Sequence, residues 1–121
     1  MVEAGERGDE EIVLWGDGTP TREFLYVDDC VAGLALAGDL YDGVEPVNLG
    51  TGEEISIGDL AGLVRAETGF AGTIRWDTTR PNGQPRRKLD TTRAEELFGF
   101  TAAVPLREGI ARTVAWYREH R

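Results

Sequence analysis

The chain has 121 residues, with 13 Lys and Arg against 22 Asp and Glu, for a formal net charge of −9. A length of one ordinary domain and 40% hydrophobic residues are enough for a packed core and exclude wholesale disorder. The acidic balance works against a general nucleic-acid binder, which needs Lys and Arg in excess, and no apolar run approaches the ~20 residues of a membrane span.

Residues 1–10 read as a polar helix end or a frayed lead-in without an apolar signal region, so a cytoplasmic location is expected. Ile12-Val13-Leu14-Trp15 is a short β-rich run, and Gly16-Asp17-Gly18-Thr19-Pro20 after it can only turn. Glu23 to Val27 reads as a second strand. Asp28 then offers an N-cap and Asp29 an acidic first turn. The helix they open runs to about Tyr41, with Val31, Leu34, Ala35 and Leu36 on its apolar face and Gly33 and Gly38 weakening it. Pro46 to Leu49 is a short strand ended by Gly50-Thr51-Gly52. Ser56-Ile57-Gly58-Asp59 has the form of a capping box with Asp for Glu. Leu60, Leu63, Val64 and Thr68 continue it at helical spacing to Gly69. Thr73 to Asp77 is another strand, and Thr78 to Lys88 a long polar loop with prolines at 81 and 85. Thr91 or Thr92 caps a short helix that Gly99 stops. Leu106, Ile110, Val114 and Tyr117 mark a closing amphipathic helix with Pro105 before its first turn. Strands and about four helices alternate, an α/β pattern. The strands are so few and short that one sheet covered on both faces would have a thin core.

The residue inventory narrows the chemistry. Cys30 is the only cysteine and His120, next to the last residue, the only histidine. An internal disulfide, a thiolate or His-rich metal site and a histidine-based triad are therefore not expected. Cys30 reads as a small buried apolar residue and His120 as a frayed end. Lys88 is the only lysine, so positive charge is almost all guanidinium, whose planar fork suits bidentate recognition of phosphate or carboxylate.

One stretch is more specific than a turn between strands. In Trp15-Gly16-Asp17-Gly18-Thr19-Pro20-Thr21-Arg22-Glu23-Phe24-Leu25-Tyr26-Val27-Asp28-Asp29, a glycine-rich loop delivers Arg22 at the head of a strand, and a helix N-terminus opens six residues later. An arginine so placed holds its fork free for a diphosphate. This run resembles the extended short-chain dehydrogenase/reductase family of nucleotide-sugar epimerases, dehydratases and reductases. Asn48-Leu49-Gly50-Thr51-Gly52 is similar to that family's NxGTG segment, and Pro81-Asn82-Gly83-Gln84-Pro85-Arg86-Arg87-Lys88-Leu89-Asp90 to its PDGxPRKxLD segment. The likeness extends from about Ile12 to Tyr117. It is strongest to the branch that epimerises and reduces a GDP-bound 4-keto-6-deoxymannose. Arg87 where that branch has lysine, and Asn82 where it has aspartate, leave the sugar and nucleotide open.

The resemblance implies an α/β fold that is the C-terminal, substrate-binding portion of such an enzyme: a single, incomplete domain over residues 1–121. The family's glycine-rich dinucleotide fingerprint does not follow any strand in this sequence. None of Tyr26, Tyr41 and Tyr117 has a lysine four residues on, as the family's Tyr-x-x-x-Lys pair requires. The resemblance thus implies NADP or NAD in a cofactor half absent from this chain, and no catalytic, cofactor-binding or metal residue within it. Its implied partner is a nucleoside-diphosphate sugar, not a nucleic acid or a membrane. Helix faces such as Val31 and Leu34, made to pack on a missing sheet, are expected to be exposed and to favour marginal stability or homo-oligomers. Arg22 is expected as the diphosphate clamp, Arg87 as a second ligand contact, Trp15 as an aromatic beside the pocket, and Asn82 as a residue of the substrate loop. Ordinary structural roles compete at each position: turn chemistry at Asn82, a strand-end core at Trp15, a solvated basic loop at Arg87. For Asp28 and Asp29, helix capping outweighs acid–base work. Two other readings remain open: a UDP- or dTDP-sugar 4-epimerase or dehydratase, and a non-catalytic binding module.

Overall fold

Two small sheets, not one, carry the strands. The computed structural model describes residues 1–120. In chain order the elements are α1 (Val2–Arg7), β1 (Glu11–Trp15), β2 (Thr21–Arg22), α2 (Val27–Leu40), β3 (Ile55–Ser56), α3 (Ile57–Thr68), β4 (Thr73–Asp77), β5 (Arg86–Arg87), α4 (Thr92–Phe98) and α5 (Leu106–Glu119). β1 and β4 pair in parallel, Glu11 opposite Thr73 through Trp15 opposite Asp77. Backbone bonds close both ends, from Thr73 N–H to Glu10 O and from Gly16 N–H to Asp77 O, each 2.9 Å. The second sheet has the order β3–β2–β5, antiparallel on one side of β2 and parallel on the other.

Where the local signal is strong, the expected elements form. Ser56 Oγ accepts from Asp59 N–H (3.0 Å) and donates to the Asp59 carboxylate (2.6 Å), the expected box at the head of α3. Gly69 and Gly99 close α3 and α4 in the left-handed region at φ 67° and 68°. Three expectations are corrected. The strand expected from Glu23 to Val27 stops at Arg22. Pro46 to Leu49 pairs with no strand among the described residues; Pro46 O accepts from Arg93 and the Asn48 amide donates to Asp90 O. The N-cap of α2 is Tyr26, not Asp28, and no side chain caps it. At α4, Thr91 is the N-cap as expected, but its side chain makes no cap bond, and Asp90 supplies the acceptor, taking Thr92 N–H at 3.0 Å.

The core explains which side of α2 is inside. Ala94, Phe98 and Phe100 are buried together, with Leu25, Leu36, Ala37, Tyr41, Val47 and Leu49 packed on them. Gly33, expected to weaken α2, is instead the point of closest approach. A Cβ there would meet Leu49 Cδ1 and Phe100 Cε2 at 3.0 Å. Val31 and Leu34, on the opposite side, are 60% and 61% exposed, so the inner face of α2 is Gly33, Leu36 and Ala37. Asp29 is buried, and its carboxylate accepts Val104 N–H at 2.9 Å, which ties the start of α2 to the segment before α5. Cys30 is half-buried, and the His120 ring stacks on Trp116. No helix among the described residues is long and apolar enough to cross a membrane.

Candidate functional site

The loop after β1 is fixed before it delivers anything. Gly16 and Gly18 sit at φ 82° and 79°, backbone that side chains rarely adopt. Thr19 donates its N–H and hydroxyl to Asp17 Oδ1 (2.9 and 2.7 Å). The Thr19 hydroxyl first, then its N–H, holds the Asp17 carboxyl below its ordinary range. Gly18 O and Pro20 O accept from Gly58 and Ile57 N–H, both at 2.9 Å, and pin the loop to the head of α3. Asn82 Oδ1 accepts from Asp17 N–H at 2.8 Å. A Cβ at Gly16 would lie 2.1 Å from that same oxygen, so the loop and the 81–85 segment close on each other only with glycine at 16.

The loop leads into β2, where register sorts the arginines. Thr21 lies opposite Ser56 and Arg86, and Arg22 opposite Ile55 and Arg87. Successive strand residues point to opposite faces, so Thr21 and Arg86 share one face and Arg22 and Arg87 the other. The first face is neutralised. Glu54 accepts from the Thr21 hydroxyl (2.8 Å) and, as a fork, from Arg86 Nε (2.9 Å) and Nη2 (2.6 Å). The second face is not. Arg22 Nη1 donates to Thr21 O at 2.6 Å. The Arg87 side chain has no hydrogen bond or ion pair among the described residues. Arg22 and Arg87 are neighbours across two paired strands on one face, and like charges so placed repel unless an anion lies between them. Their forks fit the oxygens of a phosphate or carboxylate.

The Arg86–Glu54 contact has a measurable consequence. Hydrogen bonds from Arg86 first, then from Thr21, hold the Glu54 carboxyl down to about 2 from an ordinary 4.5. A carboxyl depressed on folding stabilises the fold above its unfolded pKa, and that stability is lost as pH falls toward the folded value. The urea midpoint of the wild-type chain is therefore expected to fall as pH drops from about 5 to about 3, and less steeply in Glu54→Gln. Unfolding curves at a series of pH values check this. Asp17, Asp77 and Asp90 are also depressed, by bonds from Thr19, Thr79 and Thr92, so the variant retains some acid sensitivity.

The structure brings three of the four expected site residues to one edge. The Asn82-Gly83 turn borders Arg22: a Cβ at Gly83 would stand 3.8 Å from Arg22 Nη2. Asn82 itself holds the Asp17 N–H, so its own contact is structural. Trp15 ends β1, 68% exposed, with the Arg80 guanidinium 5.2 Å above its ring, a cation–π contact. It is not the strand-end core residue that competes with a binding role. Asp28 faces Arg112 at 3.6 Å and Asp29 holds Val104, which are structural tasks for both. Among the described residues no three His, Cys, Asp or Glu side chains could hold a metal ion. Sequence reasoning missed Glu54, Glu23 and Arg80. Only register and distance reveal the first two, since their partners lie about thirty or more residues along the chain.

Comparison with known proteins gives a consistent result. Residues 1–58 match the family model described as the NAD dependent epimerase/dehydratase family. GDP-L-fucose synthase 1 of Arabidopsis thaliana is 45% identical over 115 residues, covering 95% of this chain and 35% of that protein. A GDP-L-fucose synthetase from Naegleria fowleri, solved bound to NADP, superposes with a TM-score of 0.89 at 29% identity, over 97% of this chain and 37% of that one. A UDP-glucose 4-epimerase from Thermotoga maritima, solved with UDP-glucose, superposes with a TM-score of 0.85 at 34% identity, over 98% of this chain and 38% of that one. The chain thus spans little more than a third of the length of the relatives it matches.

Proposed function

Because this chain belongs to the NAD dependent epimerase/dehydratase family, we propose that it is the nucleotide-sugar-binding part of an NAD(P)-dependent epimerase/reductase most like GDP-L-fucose synthase. The observation that carries this is the Arg22–Arg87 pair: two guanidinium groups in register on one face, with no carboxylate on either, beside an Arg86 that Glu54 has already tied off. Arg22 and Arg87 clamp the diphosphate shared by all nucleoside-diphosphate sugars. The Asn82-Gly83 turn shapes the edge of the cleft. Trp15, exposed and with Arg80 on its ring, directly precedes Gly16, whose loop closes on Asn82.

We assign this chain binding and orientation, not hydride transfer. It contains no Tyr-x-x-x-Lys pair. Its residues do not fit a nicotinamide dinucleotide either. Such a cofactor needs a parallel strand running through a glycine-rich turn into a helix N-terminus. Here β1 runs through its turn into β2, and β4 runs into the exposed 78–85 segment.

A UDP-sugar epimerase is the second reading, favoured by the likeness to the Thermotoga maritima protein solved with UDP-glucose. Calorimetric titration with GDP, UDP and dTDP separates the two. We expect binding of GDP in preference to the others, weakening as salt is raised because the clamp is ionic. Preference for UDP moves the assignment to the second reading. Binding of none of the three overturns the assignment of the clamp to this chain.

A further inference from the structure

We infer that Glu23 is a positioning residue of the diphosphate clamp: its carboxylate fixes where Arg87 stands relative to Arg22. The inference rests on the reading of those two arginines given above.

The geometry is specific. Glu23 Oε1 accepts from Thr51 N–H (2.5 Å) and Gly52 N–H (3.1 Å), and Oε2 accepts from Leu89 N–H (3.0 Å). Three backbone donors from two irregular segments therefore converge on one half-buried carboxylate. Glu23 follows Arg22 directly, and Leu89 lies two residues beyond Arg87. The path from Arg22 through Glu23 to Leu89 and back to Arg87 closes a short ring around the clamp.

The strand bearing Arg87 needs such a tether. β5 is two residues long, and residues 81–90 are exposed throughout, so apolar burial does little to hold it. Besides the ladder itself, Thr21 N–H bonds Pro85 O at 2.9 Å on one side of the arginine pair. On the other side, Glu23 holds Leu89.

The turn at 50–52 is built around the same carboxylate. A Cβ at Gly50 would lie 2.0 Å from Glu23 Oε1 and 3.2 Å from Thr91 Cγ2. Glycine at 50 is thus what lets the chain close on Glu23. With both oxygens engaged by N–H groups, Glu23 is not available to ligand and acts through Arg87.

Glu23→Gln tests this with little change of shape. Its amide nitrogen must face at least one of the three N–H donors, which then loses its acceptor. The measurement is the affinity of the full chain for the tightest of GDP, UDP and dTDP, in wild type, Glu23→Gln, Arg87→Ala, the Glu23→Gln/Arg87→Ala double variant, and Arg22→Ala. We expect Glu23→Gln to weaken binding about three- to tenfold, and to have no further effect once Arg87 is gone. Equal losses in both backgrounds would mean a merely structural role and overturn the inference, as would wild-type affinity in Glu23→Gln. If neither arginine variant loses affinity, the clamp reading itself has failed and takes this inference with it. Should Glu23→Gln not fold, Gly50→Ala, which pushes the carboxylate from its seat, enters the same cycle with the same expected pattern.

Discussion

Replacing Arg22 by alanine is expected to weaken nucleoside-diphosphate binding roughly tenfold to a hundredfold while leaving the fold intact. A hydrogen bond to a charged group contributes about 1.5–3 kcal/mol, and each ~1.4 kcal/mol is a factor of ten in affinity. Among the described residues the wild-type guanidinium has one acceptor, Thr21 O, so most of its donors remain for a ligand. Its loss leaves no buried carboxylate unpaired, and the backbone of β2 keeps its partners. Arg86→Ala is the informative control. It lies one residue from Arg87 on the same two-residue strand, yet its charge is spent on Glu54. The Arg86 side chain is largely exposed and ion pairs at the surface add little to stability, so the control should shift the melting transition slightly and the affinity very little. Arg22→Lys keeps the charge and loses the fork, and is expected to fall between wild type and alanine. Calorimetric titration and thermal melting of the four proteins check this together. Equal losses in Arg22→Ala and Arg86→Ala would reduce the site to diffuse positive charge and remove the assignment to a clamp.

The control also shows what could not be read from the residues alone. Arg86, Arg87 and Lys88 look alike in sequence, as one basic run in a loop. Only the register of β5 against β2 puts Arg86 on the face of Glu54 and Arg87 on the face of Arg22. The strand itself was illegible for the same reason: two arginines carry no β signal, and their pairing partners lie more than sixty residues away. β3 was missed likewise. By contrast, the turn at 16–20, the cap of α3, the glycine stops of α3 and α4 and the amphipathic α5 rest on residues within a few positions of one another, and they form as expected. Distant groups decide what such local readings leave open. Asp29 stands in the first turn of α2 as expected, and its carboxylate there accepts Val104 N–H, 75 residues on. Glu23 reads as an ordinary strand residue, yet its carboxylate ties together the 50–52 turn and the segment after β5. Family resemblance singles out Arg22 and Arg87, and the register separates them from Arg86, which Glu54 holds.

Phe98→Ala is expected to be the most destabilising single change, by about 3–5 kcal/mol, the usual cost of emptying an aromatic site in a core. The core is small: Phe98, Ala94 and Phe100 are its buried centre, and no large side chain in it is fully enclosed. Phe98 is 5% exposed and meets Tyr41 ring to ring at 6.2 Å, tilted by 53°. That contact joins α4 to the end of α2. The partly buried Leu36, Ala37, Val47 and Leu49 complete the shell, and none of these can fill a phenyl-sized void without moving the backbone. Besides this packing, α2 is held at its start by Asp29, which accepts Val104 N–H, and by Asp28, which faces Arg112. Val27, Val31 and Leu34 on its outer side are all about 60% exposed, so packing there does not compensate. Leu34→Ala, on that outer face, is expected to change stability by no more than about 0.5 kcal/mol. Urea unfolding of both variants, followed by far-ultraviolet circular dichroism, makes the comparison. For a domain whose total stability lies in the ordinary range of about 5–15 kcal/mol, the Phe98 variant should approach unfolding at room temperature. A loss below about 1 kcal/mol would mean that α2 is held by contacts other than its inner face. A large loss at Leu34 would mean that the exposed face is covered in solution, and sedimentation of the wild-type chain over a range of concentrations would then show whether a second copy covers it.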